Sequence, residues 1–78
     1  MNMINKNLIL FLEKIINYDL NFNPISINEL KSFFKNNEYY NLKNFCLENN
    51  LIIFEYGKVI PTKKGRELHN VIKNILYF

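Results

Sequence analysis

Two short apolar runs, LIIFE and KVIP, flank the dipeptide Tyr56-Gly57 in the second half of this sequence. Apolar runs on either side of a glycine-containing turn predict a β-hairpin, which we place over residues 51–61. The residues before and after the hairpin have the spacing of helices. We therefore expect a mainly α-helical fold with a small β-hairpin, in the α+β class.

The first helix is predicted over residues 4–18, where apolar side chains recur at helical spacing. Pro24 then breaks the helical pattern, and a short strand is expected around Ile25. Ser26 and Glu29 have the form of a capping box. In this motif the serine side chain accepts the Glu29 amide, and the glutamate reaches back to the Ser26 amide.

The second and third helices are predicted over 27–35 and 38–49. Asparagine tolerates left-handed backbone better than most residues, so Asn36 is expected to end the second helix and Asn37 to cap the third. The third helix should turn four side chains toward the core: Tyr39, Leu42, Phe45 and Cys46.

The last helix is predicted over residues 62–77, with Thr62 as its N-cap. The third helix ends at Asn49 or Asn50, in the position that glycine often takes. Five apolar residues of the last helix fall on one stripe that should pack on the core: Leu68, Val71, Ile72, Ile75 and Leu76.

Size and composition indicate a single packed domain. The chain has 78 residues, of which 49% are apolar. Its only cysteine, Cys46, excludes an intrachain disulfide and a multi-cysteine zinc site. The apolar run LILFL near the start is too short to span a membrane.

Positive charge is concentrated in the second half of the chain. Residues 1–30 hold two lysines against three acidic residues, a net charge of −1. Residues 31–78 hold seven lysines and one arginine against four glutamates, a net charge of +4. A basic half fits a polyanionic partner, and it equally fits ordinary solubility.

No catalytic residue, metal ligand or cofactor motif is indicated. The single histidine, His69, lies near the edge of the last helix's apolar stripe and is interpreted as a boundary residue. Cys46 falls on the inner face of the third helix, where a buried thiol is inert. Gly57 and Gly65 are the only glycines, which is too few for a phosphate-binding loop. We predict that the protein is not an enzyme.

Two short helices joined by a tight turn form a helix-turn-helix, and a hairpin beside them makes it a winged one. The segments LKNFCLENNLI and PTKKGREL resemble winged-helix regulators of the PadR and MarR type, and small archaeal winged-helix proteins that end in a dimerising helix. In these families the third helix closes with Leu-x-x-Leu, three residues and Gly-Leu-Ile, and the wing returns into Thr-x-Lys-Gly. The matching positions are Leu42, Phe45, Leu51, Ile52, Thr62, Lys64 and Gly65.

The sequence departs from this family pattern in two places. The helix ending is one residue longer, with asparagine in place of glycine, and the wing is short and carries one lysine, Lys58. The resemblance covers roughly residues 4–78. It implies a winged helix-turn-helix fold, double-stranded DNA as the partner and the last helix as a dimer contact.

In a helix-turn-helix the outward residues near the start of the third helix meet base edges in the major groove. The candidates for base contact are Asn37, Tyr40, Asn41 and Asn44. Asparagine pairs with adenine through two hydrogen bonds, and no arginine lies here, so A·T pairs should be preferred. The alternative is a polar, solvated face in a sequence that holds fifteen asparagines.

Phosphate contacts require cations around that helix. Cations in the first turn of the last helix are disfavoured by its dipole, so their presence there suggests an anionic partner. The residues predicted to contact DNA, either at its backbone or through the wing, are Lys31, Lys35, Lys43, Tyr56, Lys58, Lys63, Lys64 and Arg66.

The strongly apolar end of the last helix favours a homodimer. A dimer would also bury Leu10, which lies on the outer side of the first helix. The predicted dimer residues are Leu10, Ile72, Ile75, Leu76 and Phe78. Two-fold symmetry would place two recognition helices roughly 34 Å apart.

These observations predict a DNA-binding transcriptional regulator, cytoplasmic and associated with the nucleoid, that acts as a dimer on an A·T-leaning site. We predict no cofactor, no metal, no membrane partner and no small-molecule effector. One alternative is a protein-interaction module that uses Leu47 and Glu48 on the outer third helix. Another is an architectural protein that binds DNA without sequence preference.

Overall fold

The computed structural model describes residues 6–77, with side chains for residues 6–75, so the predicted helix start at residue 4 lies outside the described residues. The helices are α1 Lys6–Leu20, α2 Ile27–Ser32, α3 Asn36–Glu48 and α4 Lys63–Tyr77, and the strands are β1 Ile25–Ser26, β2 Ile52–Glu55 and β3 Lys58–Pro61. The protein is mainly helical with a small antiparallel sheet, which confirms the α+β class. Within residues 6–77, no helix has the length and apolar character needed to cross a bilayer.

The three strands form one antiparallel sheet with β3 at its centre, in the order β1-β3-β2. Lys58 of β3 lies opposite Ser26 on one side and opposite Glu55 on the other. Tyr56 and Gly57 form the whole turn between β2 and β3, and their φ angles of 52° and 75° are those that a type I′ hairpin requires. The predicted hairpin is therefore present, and the short strand expected before α2 completes the sheet.

α1 supplies the centre of the core and contacts β1, β3, α2 and α4. Each large apolar side chain that it buries stabilises the fold by roughly 1.5–3 kcal/mol before the loss of chain entropy. The buried residues of α1 are Leu8, Ile9, Phe11, Leu12, Ile15 and Ile16.

α1 continues two residues beyond its predicted end and closes with two hydrogen bonds. The Asn23 amide donates to the Tyr18 carbonyl at 3.1 Å, and the Phe22 amide donates to the Asp19 carbonyl at 3.0 Å. This pair of bonds defines a Schellman motif, which needs left-handed backbone at the residue after the helix cap. Phe22 takes that position with φ 59°.

α3 ends in the same motif. The Leu51 amide donates to the Cys46 carbonyl at 2.8 Å, and the Asn50 amide donates to the Leu47 carbonyl at 3.2 Å. Asn50 has φ 58° and takes the position in which glycine is most common. Of the two asparagines considered for this position, Asn50 is thus the one that ends the helix.

The predicted end of α2 is wrong by three residues. α2 ends at Ser32 rather than 35, because the Phe33 amide bonds back to the Leu30 carbonyl at 3.2 Å and the Phe34 amide to the Lys31 carbonyl at 3.3 Å. These three-residue turns are tighter than α-helix and close the chain toward the next helix.

The predicted start of α3 is also wrong. Lys35 has extended backbone, with φ −65° and ψ 152°, and is the N-cap, so α3 begins at Asn36 rather than 38. Asn36 therefore does not end α2, and Asn37 does not cap α3. The Asn37 side chain lies inside the first turn and accepts the Glu38 amide at 2.9 Å.

Both predicted side-chain caps at Ser26 and Thr62 are confirmed. Ser26 Oγ accepts the Glu29 amide at 3.1 Å, and Thr62 Oγ1 accepts the Gly65 amide at 3.0 Å. The Glu29 carboxylate, which was expected to reach back to Ser26, accepts a hydrogen bond from the Tyr18 hydroxyl at 2.8 Å. This contact joins α2 to α1.

α4 buries only part of the predicted stripe, because Ile72 is buried and Leu68 packs against the core. Val71 and Ile75 are 55% and 62% exposed, so they do not belong to the core. A Cβ atom at Gly65 would lie 2.2 Å from the Leu51 carbonyl oxygen, so only glycine allows the α4 backbone this close to the end of α3. The buried residues of α4 are Gly65, His69 and Ile72, which share one face of the helix.

Candidate nucleic-acid interface

The outward face of α3 is polar, and its inner face is packed against the core. Tyr39, Leu42 and Cys46 are buried, as their spacing predicts. The four predicted base-contact residues are all exposed: Asn37, Tyr40, Asn41 and Asn44.

Tyr40 lies between two lysines that come from different helices. The Nζ atom of Lys31 in α2 donates to the Tyr40 hydroxyl at 3.1 Å and lies 5.1 Å from the ring centroid. The Nζ atom of Lys43, one turn further along α3, lies 4.7 Å from the same centroid. Both ammonium groups interact favourably with the ring and form a cationic site that can receive an anion. Lys35 is also exposed, at the N-cap of α3.

A row of aromatic rings connects Tyr40 to the core. The centroid of Phe11 in α1 lies 5.5 Å from that of Phe34 and 6.3 Å from that of Tyr39. Tyr39 in turn meets Tyr40 edge-on, with centroids 5.2 Å apart and an interplanar angle of 72°. Because Phe11 and Tyr39 are fully buried, this row restricts the Tyr40 ring before any partner arrives.

The tyrosine pKa values report the charges around them. The hydrogen bond from Lys31 and the charges of Lys31 and Lys43 lower the pKa of Tyr40. A hydrogen bond to the Glu29 carboxylate raises the pKa of Tyr18. The opposite shifts of these two pKa values mark the surface around Tyr40 as locally cationic.

The tip of the hairpin lies against the start of α2. The Gly57 carbonyl accepts the Ile27 amide at 3.0 Å, and Lys58 pairs with the strand that leads into α2. Ile27 and Lys31 are one helical turn apart, about 6 Å along the axis. The exposed side chains of Tyr56 and Lys58 therefore belong to elements next to the Lys31–Tyr40 pair.

The cations in the first turn of α4 lie apart from Tyr40. Lys63 and Lys64 are exposed, and Lys64 lies beside Asn49 at the C-terminal end of α3. Positions 40 and 49 are about 13 Å apart along a helix axis. The Arg66 guanidinium is bonded to the Asp19 carboxylate, so its charge is already paired.

The predicted dimer residues fall into different environments. Leu10 and Ile75 are exposed, whereas Ile72 is only 1% exposed. Ile72 lies on the buried face of α4 with Gly65 and His69, so it belongs to the core of one chain and is not available to a second copy. The side chains of Leu76 and Phe78 lie outside the described residues.

Two buried side chains lie away from this surface. Burial raises the pKa of the Cys46 thiol to about 12. His69, predicted as a boundary residue, is buried, and its Nε2 atom has no hydrogen-bond partner among the described residues. Within residues 6–77, no three His, Cys, Asp or Glu side chains come together as metal ligands would.

Two apolar features were missed in the sequence. A hollow of about 370 Å³ lies between the end of α3 and α4, and the Phe22 side chain at the end of α1 is 96% exposed. The signal available for the second feature was a phenylalanine set between two asparagines and two residues before Pro24. The residues that line the hollow are Phe45, Asn49, Leu51, Lys64, Glu67, Leu68 and Val71.

Comparison with protein-family models, with curated proteins and with solved structures gives no match for this chain. Its function is therefore inferred from the order of its elements and from the surface around Tyr40.

Proposed function

We propose that this chain is a winged helix-turn-helix protein that binds double-stranded DNA and regulates transcription. The observation that carries the proposal is the exposed Tyr40 between Lys31 and Lys43 on the outward side of α3. An aromatic ring flanked by two ammonium groups suits a DNA groove edge, where phosphates lie beside sugars and bases.

The order of elements supports this class. α2 and α3 are joined by residues 33–35 and would form the helix-turn-helix, with α3 as the recognition helix. β2 and β3 would form the wing, a short hairpin with four-residue strands whose strand β3 also pairs with β1 as far as Lys58. The Gly57–Ile27 hydrogen bond holds this wing against α2.

We assign Tyr40 and Lys31 together to a DNA phosphate, because the Tyr40 hydroxyl already bonds to the Lys31 ammonium. Asn37, Asn41 and Asn44 remain the candidates for base contact, and their amides fit adenine. The site should therefore lean toward A·T pairs.

We also propose a homodimer, which would cover the exposed Val71 and Ile75 of α4. Its two recognition helices would read half-sites roughly 34 Å apart. With about six phosphate contacts per dimer, affinity should fall on the order of 10³-fold between about 50 and about 200 mM salt.

The test is a titration of the protein into labelled random duplex DNA at about 50 and about 200 mM salt, followed by sequencing of the retained DNA. We expect a palindromic, A·T-leaning site with strong weakening by salt. Tyr40→Ala and Lys31→Gln should weaken binding, whereas Lys73→Gln removes a cation that pairs with Glu13 on α1 and serves as the matched control. No retention at the lower salt would exclude DNA as the partner.

A protein-interaction module is the second candidate. The exposed Leu47 on α3, and Ile53 and Phe54 on the edge strand β2, favour it, because an apolar edge strand can pair with a strand of another protein. Absent or salt-independent DNA binding would favour this candidate. Equal affinity for AT-rich and GC-rich duplexes would indicate an architectural DNA-binding protein.

A further inference from the structure

Phe22 combines two unfavourable features. Its φ of 59° is left-handed backbone, which a residue with a bulky side chain rarely adopts, and its side chain is 96% exposed. Leu20, two residues earlier, is 63% exposed. The turn is nevertheless well defined, because both Schellman hydrogen bonds are made. The chain thus presents an apolar knob, Leu20 and Phe22, on a fixed turn.

Helix capping does not explain the phenylalanine. α3 ends in the same motif with Asn50 at the equivalent position, and asparagine tolerates this backbone better. Tyr56 is the other exposed aromatic residue with positive φ among the described residues, and it is already assigned to the wing. Phe22 has no such assignment.

The hollow between α3 and α4 offers a site of the complementary shape. Its walls are mainly apolar and include Phe45, Leu51, Leu68 and Val71. Its volume of about 370 Å³ exceeds the roughly 150 Å³ in which an apolar protein cavity holds a benzene ring. A phenylalanine ring therefore fits with room to spare.

The knob and the hollow flank the same part of α4. Asp19, next to Leu20, bonds to Arg66, while Lys64, Glu67 and Leu68 of the same two turns line the hollow. A knob and a hollow at one end of a molecule can both be used by a single two-fold axis, which gives a closed dimer.

Charge favours a second copy as the occupant. The whole chain carries +3, so most of its surface repels another copy. Around the knob, however, Asn21 and Asn23 are neutral and Asp19 is paired with Arg66. At the hollow, Lys64 and Glu67 balance each other. The two surfaces can therefore meet without like-charge repulsion.

We propose that Phe22 of one copy inserts into the hollow of a second copy, and that the second copy does the same in return. This contact specifies the proposed homodimer and rests on that part of the proposed function. Each phenylalanine buries about 200 Å². The two phenylalanines and the two hollows that receive them together bury about 800 Å². An interface of this size predicts weak, concentration-dependent association.

The experiment measures self-association of the full chain without DNA by sedimentation, from about 10 to about 500 µM protein. Phe22→Asn copies the ending of α3 and should raise Tm while weakening association at least tenfold. Tyr56→Asn is the matched control, since it also replaces a left-handed exposed aromatic residue; it should raise Tm and leave association unchanged. Val71→Glu, or Val71→Gln, alters the hollow at an exposed position and should also weaken association at least tenfold.

A mixture of Phe22→Asn and Val71→Glu gives the decisive result. Each variant alone lacks both contacts of the dimer, whereas the mixture retains one intact knob and one intact hollow, so mixed dimers should form. Wild-type association of Phe22→Asn, or no association in the mixture, would overturn the proposed contact and leave a dimer in place. A monomeric wild type would overturn the dimer itself. DNA binding is scored separately on a half-site duplex, so its failure is distinguishable from both results.

Discussion

The Lys31 ammonium donates a hydrogen bond to the Tyr40 hydroxyl at 3.1 Å, although the two residues belong to different helices. The bond joins α2 to α3 on the solvent side, while Leu30 of α2 and Tyr39 of α3 are buried in the core. It also brings a cation to an aromatic residue that is 40% exposed. The spacing between α2 and α3 is thereby linked to the charge on the proposed DNA-binding surface.

We expect Lys31→Met to raise the pKa of Tyr40, because the largest cause of its lowered pKa is the hydrogen bond from Lys31. The measurement is a titration of the Tyr40 ring carbon by NMR. Lys73→Met is the control, since Lys73 pairs with Glu13 on α1. An unchanged Tyr40 titration in Lys31→Met would show that the bond does not form in solution.

His69 should make stability depend on pH below neutrality. Burial lowers the pKa of His69; the Glu13 carboxylate partly offsets this shift, and the Lys73 ammonium adds to it. As the pH falls, His69 is therefore protonated in the unfolded chain at a higher pH than in the folded protein. Stability is then full above the unfolded pKa of about 6.5 and is lost as pH falls, by at most about 1.4 kcal/mol per pH unit. Urea denaturation at several pH values between about 7.5 and about 5 measures this loss of stability. The carboxylates stay ionised over this range, so they do not contribute to it. His69→Leu should lose this dependence, and a persisting slope would assign it to another group.

The two glycines should respond differently to alanine. Gly65→Ala places a Cβ atom 2.2 Å from the Leu51 carbonyl oxygen, so we expect a loss of about 2 kcal/mol or more, although alanine normally stabilises a helix by about 1 kcal/mol. Gly57→Ala meets no atom within 4 Å and should cost about 1 kcal/mol through its φ of 75° alone. Urea denaturation of both variants compares them. A Gly65→Ala protein as stable as wild type would contradict the close contact.

Cys46 should be unreactive in the folded protein. Its side chain is fully buried and the pKa of its thiol is raised to about 12, so the thiolate fraction is about 10³-fold lower than for an ordinary cysteine with a pKa near 9. A thiol reagent at pH 8 should label it at the rate of unfolding. Rapid labelling without added denaturant would place Cys46 on an accessible surface.

Local signals in the sequence were sufficient for most of the fold. Ser26 and Thr62 act as caps because a hydroxyl there meets an amide three residues later, which is a contact within four consecutive residues. The Tyr56-Gly57 turn was also predictable, because its backbone conformation is set by these two residues and the strands beside them. The α2–α3 boundary was missed because the tight turns at Phe33 and Phe34 depend on packing against α1, where Phe34 meets Phe11.

The site required three-dimensional information. Lys31, Tyr40 and Lys43 were each selected from the sequence, but their contact depends on the angle between α2 and α3. Val71 is exposed although it falls on the predicted apolar stripe, because α4 faces the core through Gly65, His69 and Ile72. The apolar periodicity does not show which face of α4 meets the core, so the hollow beside Val71 was not predicted.

The pairing of β1 with β3 has a consequence for how the chain folds. Ser26 and Lys58 are neighbours in the sheet, yet α2 and α3 lie between them in the sequence. Closing that loop costs entropy that only the complete sheet and core repay. A fragment that stops before Lys58 lacks the central strand, so we expect that the helix pair does not fold on its own. Folding should therefore proceed in one cooperative step that requires β3.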